Sequence, residues 1–357
     1  MSRDYLLWVF VAALLVLSAL APQKIPTYPG LVHWPTIATL LGLMILTKGV
    51  ELSGWLHQVG YRVMVRIGNQ RLLALFLMGG AALLAMVLTN DIALFIVVPL
   101  TLGLGELAEL PLRRLVIFEA LAVNAGSMLT PIGNPQNIFL WQLSGSSFGG
   151  FILHMLPPFI IAVLALLFFT LCAFPPRGIH VSEIRQAPAI RKPVLLVSLL
   201  LYIPFLVLAD LRYTAVGLML VAVVFFIAFP RLLRRIDWSL LVVFVLMFID
   251  LGLLAQYRVL TLFDLARSST LYLSGALTSQ IISNVPTAIL LARYSSNWTI
   301  IAWSVDVGGF GLVISSLASI IALRIGRQPG SFVTFHVWSV PFFIVVGTLT
   351  YIWLSIR

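Results

Sequence analysis

Fourteen residues, Asn124-Ala125-Gly126-Ser127-Met128-Leu129-Thr130-Pro131-Ile132-Gly133-Asn134-Pro135-Gln136-Asn137, carry side chains unusual for their setting. Apolar runs flank them, Leu115 to Val123 before and Ile138 to Trp141 after. Proline removes a helical donor and clashes with the preceding turn, and glycine weakens a helix, so the span they occupy is expected to break. A broken helix presents N–H groups at one new end and C=O groups at the other. The first suits anions and the second cations. Irregular backbone at membrane depth survives only inside protein or beside a water-filled cavity. The chemistry expected here is binding for transport. Asn124, Thr130, Gly133, Asn134 and Asn137 are its candidate residues.

Similar polar interruptions recur in other apolar runs. Thr89-Asn90-Asp91 breaks the run from Arg71 to Glu106, and Ser283-Asn284-Val285-Pro286 breaks the run from Tyr272 to Tyr294. Thr299 to Leu323 is interrupted at Gly308-Gly309-Phe310-Gly311 and again at Ser315-Ser316, just after Asp306. Thr89, Asn90, Asp91, Ser283, Asn284, Asp306, Ser315 and Ser316 complete the candidate set for substrate or ion binding. A carboxylate inside a membrane must be paired, protonated, near water or on a cation. Asp91 has the strongest functional claim, Asp306 is a ligand or a helix cap, and Glu119 braces Arg113 or a neighbour. Glu51 and Asp250 are read as partners of basic residues. No cofactor is expected beyond sodium or a proton as coupling ion, with Asn90, Asp91 and Asn284 as a candidate sodium site.

These residues need a membrane scaffold to position them. The chain has 357 residues, 61% hydrophobic and only 10% charged, with a mean hydropathy of +1.08. That composition belongs to a polytopic membrane protein. The net charge of +10 is read as membrane topology and not as nucleic-acid binding. About nine spans are expected: Tyr5–Ala21, Trp34–Gly54, Leu115–Gln142, Phe148–Phe174, Val194–Leu208, Tyr213–Phe229, Trp238–Gln256, Thr299–Leu323 and Val333–Leu354. The first is read as a retained span and not a signal peptide. Two re-entrant hairpins, Arg71–Glu106 and Tyr272–Tyr294, dip in without crossing. Trp55–Asn69 and Tyr257–Ser269 suit interfacial helices. With the N-terminus inside, sixteen Lys and Arg residues fall inside and six outside, among them Arg3, Arg66, Arg185, Arg258 and Arg357. The basic-residue rule then places the N-terminus in the cytoplasm and the C-terminus outside.

The pattern occurs twice. Asn90 pairs with Asn284, Asn124-Ala125-Gly126 with Asp306-Val307-Gly308, and Gly133-Asn134-Pro135-Gln136-Asn137 with Ser315-Ser316-Leu317-Ala318-Ser319. Residues 1–33 form an N-terminal span and loop, 34–175 the first repeat, 176–237 a linker with two spans, and 238–357 the second repeat, inverted with respect to the first. The fold class expected is an all-α, inverted-repeat transporter with two broken helices. A phosphate-binding Gly-Lys-Ser/Thr loop is absent, so a primary pump is disfavoured. Membrane-embedded enzyme chemistry is disfavoured because no metal-spaced His/Glu pair, nucleophile turn or intramembrane Ser/His pair is expected.

At Thr89-Asn90-Asp91, Thr130-Pro131-Ile132-Gly133-Asn134-Pro135-Gln136-Asn137, Ser283-Asn284-Val285-Pro286 and Ser316-Leu317-Ala318-Ser319 the sequence resembles the ion transporter superfamily. That superfamily includes arsenite permeases, sodium-coupled citrate and dicarboxylate transporters and one type of sodium/proton antiporter. From Trp34 to the C-terminus it looks most like a group of bacterial inner-membrane permeases. The resemblance implies spans around two hairpins, a homodimer in the lipid bilayer, and elevator-like movement of the site. Dicarboxylate members carry Ser-Asn-Thr at the tips. Asp91 stands at the corresponding place here and would repel a dicarboxylate. The expected function is secondary transport of a small anion or oxyacid, coupled to sodium or protons. A sodium/proton antiporter is the alternative.

Overall fold

The computed structural model describes residues 5–64, 67–105, 108–179, 190–256 and 264–356. The described residues are almost entirely helical. A first helix α1 (Tyr5–Leu20) turns sharply through a short 3-10 segment into α2 (Tyr28–Leu31). The first repeat follows: α3 (Trp34–Leu52), α4 (Trp55–Met64), α5 (Gln70–Val87), α6 (Asn90–Gly105), α7 (Leu112–Ser127), α8 (Pro135–Ser144) and α9 (Phe148–Ala173). Next come α10 (Lys192–Asp210), α11 (Thr214–Ala228) and the short α12 (Pro230–Leu233). The second repeat is α13 (Trp238–Ala255), α14 (Ser268–Ile282), α15 (Asn284–Leu291), α16 (Trp298–Gly308), α17 (Leu317–Gly326) and α18 (Ser331–Ile356).

Local sequence explains most boundaries. Asn69 accepts N–H bonds from Arg71 and Leu72 to start α5, and Ser147 and Asn297 cap α9 and α16 in the same way. Each cap satisfies a donor left over at a helix start. Gly145, at φ 69°, ends α8 in the left-handed conformation that glycine adopts without strain. Arg114 donates to the carbonyl of Ala173 and Arg71 Nε donates to that of Phe174, 2.8 Å away, so the end of α9 is tied to α7 and α5.

The broken spans sit at the centre. Every residue of α7 from Leu115 to Ser127 is buried, as are Pro135 to Gln142 of α8, all of α15 and Ile300 to Gly308 of α16. The outer helices α1, α9, α10, α11 and α18 instead expose large aliphatic side chains, such as Leu153, Ile203, Ile227 and Ile352. A helix bundle that is apolar outside as well as inside is built for lipid.

The two halves repeat contact by contact. α7 packs on α5 and α6, and α16 packs correspondingly on α14 and α15. A Cβ on Gly126 would fall 2.1 Å from the carbonyl oxygen of Ala82, and one on Gly308 3.0 Å from that of Ala276. Gly308 stands to Asp306 as Gly126 stands to Asn124, and Ala276 stands to Asn284 as Ala82 stands to Asn90. The halves also interlock, since α17 packs on α6 and α7 while α8 packs on α15 and α16.

Several sequence expectations shift. Six helices (α3, α5, α9, α10, α13 and α18) are long and apolar enough to cross a membrane, and the bent pair at the N-terminus makes a seventh. Nine were expected. Both broken spans divide into pieces too short to count and α11 is also short, whereas α5, expected as one arm of a hairpin that does not cross, is long enough to count. The first hairpin turns at Leu88 and Thr89, with Asn90 and Asp91 already in the first turn of α6. Most of the expected interfacial helix Tyr257–Ser269, together with Glu106, Arg3, Arg66, Arg185, Arg258 and Arg357, lies outside the described residues. Glu119 does not brace Arg113: its Oε1 accepts from the Thr101 hydroxyl. Glu51 pairs with Lys48 at 2.9 Å, whereas neither carboxylate oxygen of Asp250 has a partner among the described residues.

Candidate functional site

The first break, residues 128–134, is held by its own polar side chains. Asn134 accepts from the Asn137 N–H at 2.9 Å and so caps α8, with Pro135 as its first residue. The Asn137 amide Nδ2 donates to three carbonyls at the end of α7, those of Ser127, Met128 and Thr130, at 3.3, 3.3 and 3.4 Å. One side chain thereby occupies much of the carbonyl cluster that a cation would seek. Gly133 must lack a side chain, because a Cβ there would come within 2.1 Å of the Ser127 carbonyl oxygen.

The hairpin tips dock on these breaks. The Asn90 N–H donates to the Gly133 carbonyl at 2.8 Å, and the Thr130 hydroxyl donates to the Met86 carbonyl at 2.7 Å. Asn90 Oδ1 accepts from the Asp91 N–H, which starts α6. At the second tip, the Ser283 hydroxyl reaches the Ser315 carbonyl at 3.3 Å, while the Ser315 hydroxyl donates to the Leu312 carbonyl. Gln280 donates through Nε2 to the Gly308 carbonyl and accepts at Oε1 from the Leu312 N–H at 2.7 Å. Ser283 itself has φ 73° and ψ 158°, a conformation costly for any residue with a side chain.

Across the middle, each broken span reads the other. Asn124 accepts from the Ser316 hydroxyl at 3.0 Å and donates to the Ser319 hydroxyl at 3.4 Å. Asp306, the equivalent position in the second half, accepts at Oδ1 from Asn134 Nδ2 at 3.0 Å and from Gln136 Nε2 at 2.9 Å.

A cavity of about 440 Å³ opens beside this crossing. Its polar end is formed by Asn90, Asp91, Gln136, Ser283, Asn284 and Ser316, and its other walls are aliphatic and aromatic, including Phe10, Phe244, Met247 and Leu251. The residues that begin α6, α8, α15 and α17 (Asn90, Pro135, Asn284 and Leu317) all line it. Each helix start carries a partial positive charge of roughly half a unit. Among the described residues no Lys, Arg or His side chain is in the lining, and Asp91 is its one ionisable group. A second cavity of about 810 Å³ shares Asp91 with the first and also holds Thr89, Lys48, Arg235, Asp237, Arg324 and Arg327.

All thirteen candidate residues thus fall in one region. Asn90, Asp91, Ser283, Asn284 and Ser316 face the first cavity and Thr89 the second. Asn124, Thr130, Gly133, Asn134, Asn137, Asp306 and Ser315 hold the breaks and tips together. Asn90, Asp91 and Asn284, the candidate sodium residues, share the lining of one cavity. Sequence reading passed over Gln136, Gln280, Ser127 and Ser319 as site residues. Gln280 stands four residues before Asn284 as Met86 stands before Asn90, so the repeat gives no cue to it. A Gly-x-Ser-x-Gly pattern does occur, at Gly145-Ser146-Ser147-Phe148-Gly149. It joins two helices, and the Ser147 hydroxyl accepts from the Gly150 N–H as a helix cap, so it makes no nucleophile turn.

Paired hairpins docked on paired broken helices define a polytopic membrane protein of transporter type. The chain belongs to the citrate transporter (CitMHS) family, which matches residues 5–308. It is 44% identical over 344 residues to the inner membrane protein YbiR of Escherichia coli, covering 95% of this chain and 92% of that one. It is 30% identical over 327 residues to the uncharacterized transporter MJ0456 of Methanocaldococcus jannaschii, covering 88% and 86%. A shorter match, 29% over 155 residues, reaches the human P protein, covering 41% of this chain and 18% of that one.

Proposed function

We propose that this protein is a secondary active transporter of a small anion or oxyacid, coupled to sodium or protons. One observation carries the reading: four helix starts converge on a single cavity between the repeats. Their dipoles favour negative charge in a cavity whose described lining has no basic side chain. The family membership and the resemblance to inner-membrane permeases support the same reading. Because Asp91 is the one ionisable group in the described lining, and would repel an anion when ionised, a monovalent or neutral acid fits better than a di- or tricarboxylate unless a cation masks it.

Asp91 borders both cavities. The larger one carries Lys48, Arg235, Arg324 and Arg327, all assigned to the inside by the basic-residue rule. The conformation described is therefore read as open to the cytoplasm, with a basic mouth that concentrates anions near the site. Re-entrant hairpins, an elevator stroke, a homodimer and bacterial inner-membrane placement with the N-terminus inside belong to the same proposal. A sodium/proton antiporter is the second reading. It is favoured by the oxygen-rich grouping of Asp306, Gln136 and Asn137, in which each residue has a buried acceptor without a donor.

Counterflow in proteoliposomes tests the function, with arsenite, a C4-dicarboxylate, citrate, sulfate and sodium compared side by side. Transport of at least one anion is expected. Asn90→Ala and Asn284→Ala are each expected to abolish it while leaving the protein inserted and folded. Sodium or proton exchange with no anion carried would replace this reading by the antiporter.

A further inference from the structure

The two broken spans treat equivalent positions differently. Asn124 uses both ends of its amide, accepting from Ser316 and donating to Ser319. Asp306 accepts twice at Oδ1, from Asn134 and Gln136, and its Oδ2 is buried with no donor. Gln136 donates to Asp306 through Nε2, and its own Oε1 is likewise buried without a partner. Both residues are nearly fully enclosed, at 4% and 2% exposure. A carboxylic acid and a primary amide form a two-bond ring: the amide N–H donates to one acid oxygen, and the acid O–H donates back to the amide oxygen. Here the first of the two bonds is made. A single hydrogen on Asp306 Oδ2 would turn that orphan into a donor, and two buried acceptors without donors, Gln136 Oε1 and Asn137 Oδ1, belong to the same grouping. Gln136, already bonded to Oδ1, is the one that completes the ring.

No fixed charge competes for that role. The elements packed on α16 are α8, α9, α14, α15 and α18, and none carries Asp, Glu, Lys or Arg among its residues. Their titratable groups are otherwise engaged or peripheral. Tyr272 donates to the Gly347 carbonyl, and His336 bonds the Val313 N–H and the Phe332 carbonyl. His154 pairs with the Gly150 carbonyl, Cys172 is exposed, and Tyr351 lies beside the Tyr272 ring. Asp91 faces the cavity that Gln136 also lines.

We propose that Asp306 is a proton-binding site whose protonated form is read by Gln136 and positioned by Asn134. It rests on the transport reading and adds a proton site in the second repeat beside the coupling role expected of Asp91. The step is a simple protonation: one proton passes from the cavity water to Asp306 Oδ2, and the side chain goes from a charge of −1 to 0. In the neutral form Asp306 becomes the donor-and-acceptor that Asn124 already is. The charged form leaves Asp306 Oδ2 and Gln136 Oε1 both buried without a donor, so loss of the proton should loosen the α8–α16 contact.

The test is infrared difference spectroscopy of the purified full chain in lipid, recorded between low and high pH with aspartate carbons isotopically labelled. Wild type is expected to lose an aspartic-acid carbonyl band as pH rises. Asp306→Asn should lack that component while keeping wild-type thermal stability, because asparagine supplies the same ring. Gln136→Leu should retain the band but shift its frequency, since the acid loses its amide acceptor. Asp91→Asn should leave the Asp306 component in place. A difference spectrum unchanged by Asp306→Asn overturns the proposal, as does a band whose frequency ignores Gln136→Leu. Failure of anion counterflow with the Asp306 band intact would count against the transport reading and not against the proton site.

Discussion

Gln280→Met should loosen the second hairpin without unfolding the protein. The side chain keeps its length and apolar stem but loses the bonds to the Gly308 carbonyl and the Leu312 N–H, and a third to Ala276 at 3.1 Å. A net hydrogen bond is worth about 1 kcal/mol, and a buried group left unpaired costs about 1–3 kcal/mol. Gly308 is buried, so the loss of its partner carries most of the cost, while Leu312 is 39% exposed. The docking of hairpin on break should therefore weaken by about 2 kcal/mol, which raises the open population roughly tenfold to thirtyfold. Hydrogen exchange followed by mass spectrometry reads this directly. Faster exchange is expected in peptides covering 280–291 and 308–316, with 86–90 and 128–134 unchanged. Met86→Leu should change neither set, because there the clip is a backbone carbonyl bonded by Thr130. Unaltered protection at 308–316 in Gln280→Met would show that the amide is not what holds the hairpin.

Three further outcomes are expected. In a Cys172→Ser background, Asn90→Cys and Asn284→Cys should both react slowly with membrane-impermeant thiol reagents, since both residues are buried at the tips; rapid labelling from outside at position 90 would mean that the first hairpin crosses. Asp91→Asn should leave substrate exchange partly intact while abolishing accumulation driven by an imposed sodium or proton gradient, measured as uptake into proteoliposomes; accumulation equal to wild type would remove Asp91 from coupling. Ser283→Gly should melt at or above the wild-type temperature and Ser283→Ala below it, because glycine relieves a backbone strain of about 1–3 kcal/mol whereas alanine keeps the strain and loses the bond to Ser315; the reverse order would contradict the positive φ.

The breaks were legible in the sequence for a definite reason. Prolines, glycines and amides within apolar runs leave few conformations that satisfy the backbone away from water. The pairing of Asn124 with Asp306 was also legible, because offsets of sequence carry over to offsets in space when a unit is repeated. The register of the tips was less so. Asn90 reads as the turn itself, yet its N–H is held by Gly133 in the first break, far along the chain, which lets it begin α6 instead. Long-range bonds of that kind leave no local trace. Gln280 was invisible for the same reason, and Gln136 was visible only as part of a motif whose partner, Asp306, lies 170 residues away. The basic partner expected for Asp250 at the scaffold boundary is not there: neither carboxylate oxygen has a hydrogen-bond partner among the described residues.

The asymmetry between the halves bears on how such a site could move. Both hairpins dock on a break, but by different means. The first turns through Leu88 in ordinary extended backbone, at φ −106° and ψ 166°, and is held by the Asn90 N–H and the Thr130 hydroxyl. The second turns through Ser283 in a strained conformation and is held chiefly by one side chain, Gln280. Strain in the docked state lowers the cost of leaving it, and a side-chain clip can be released without breaking helix backbone. The second hairpin is therefore the easier to lift. Its tip lines the same cavity that shares Asp91 with the basic cavity, so release there would open that site. A transporter must never open both faces at once, and unequal docking of two otherwise equivalent hairpins gives the order in which they can yield.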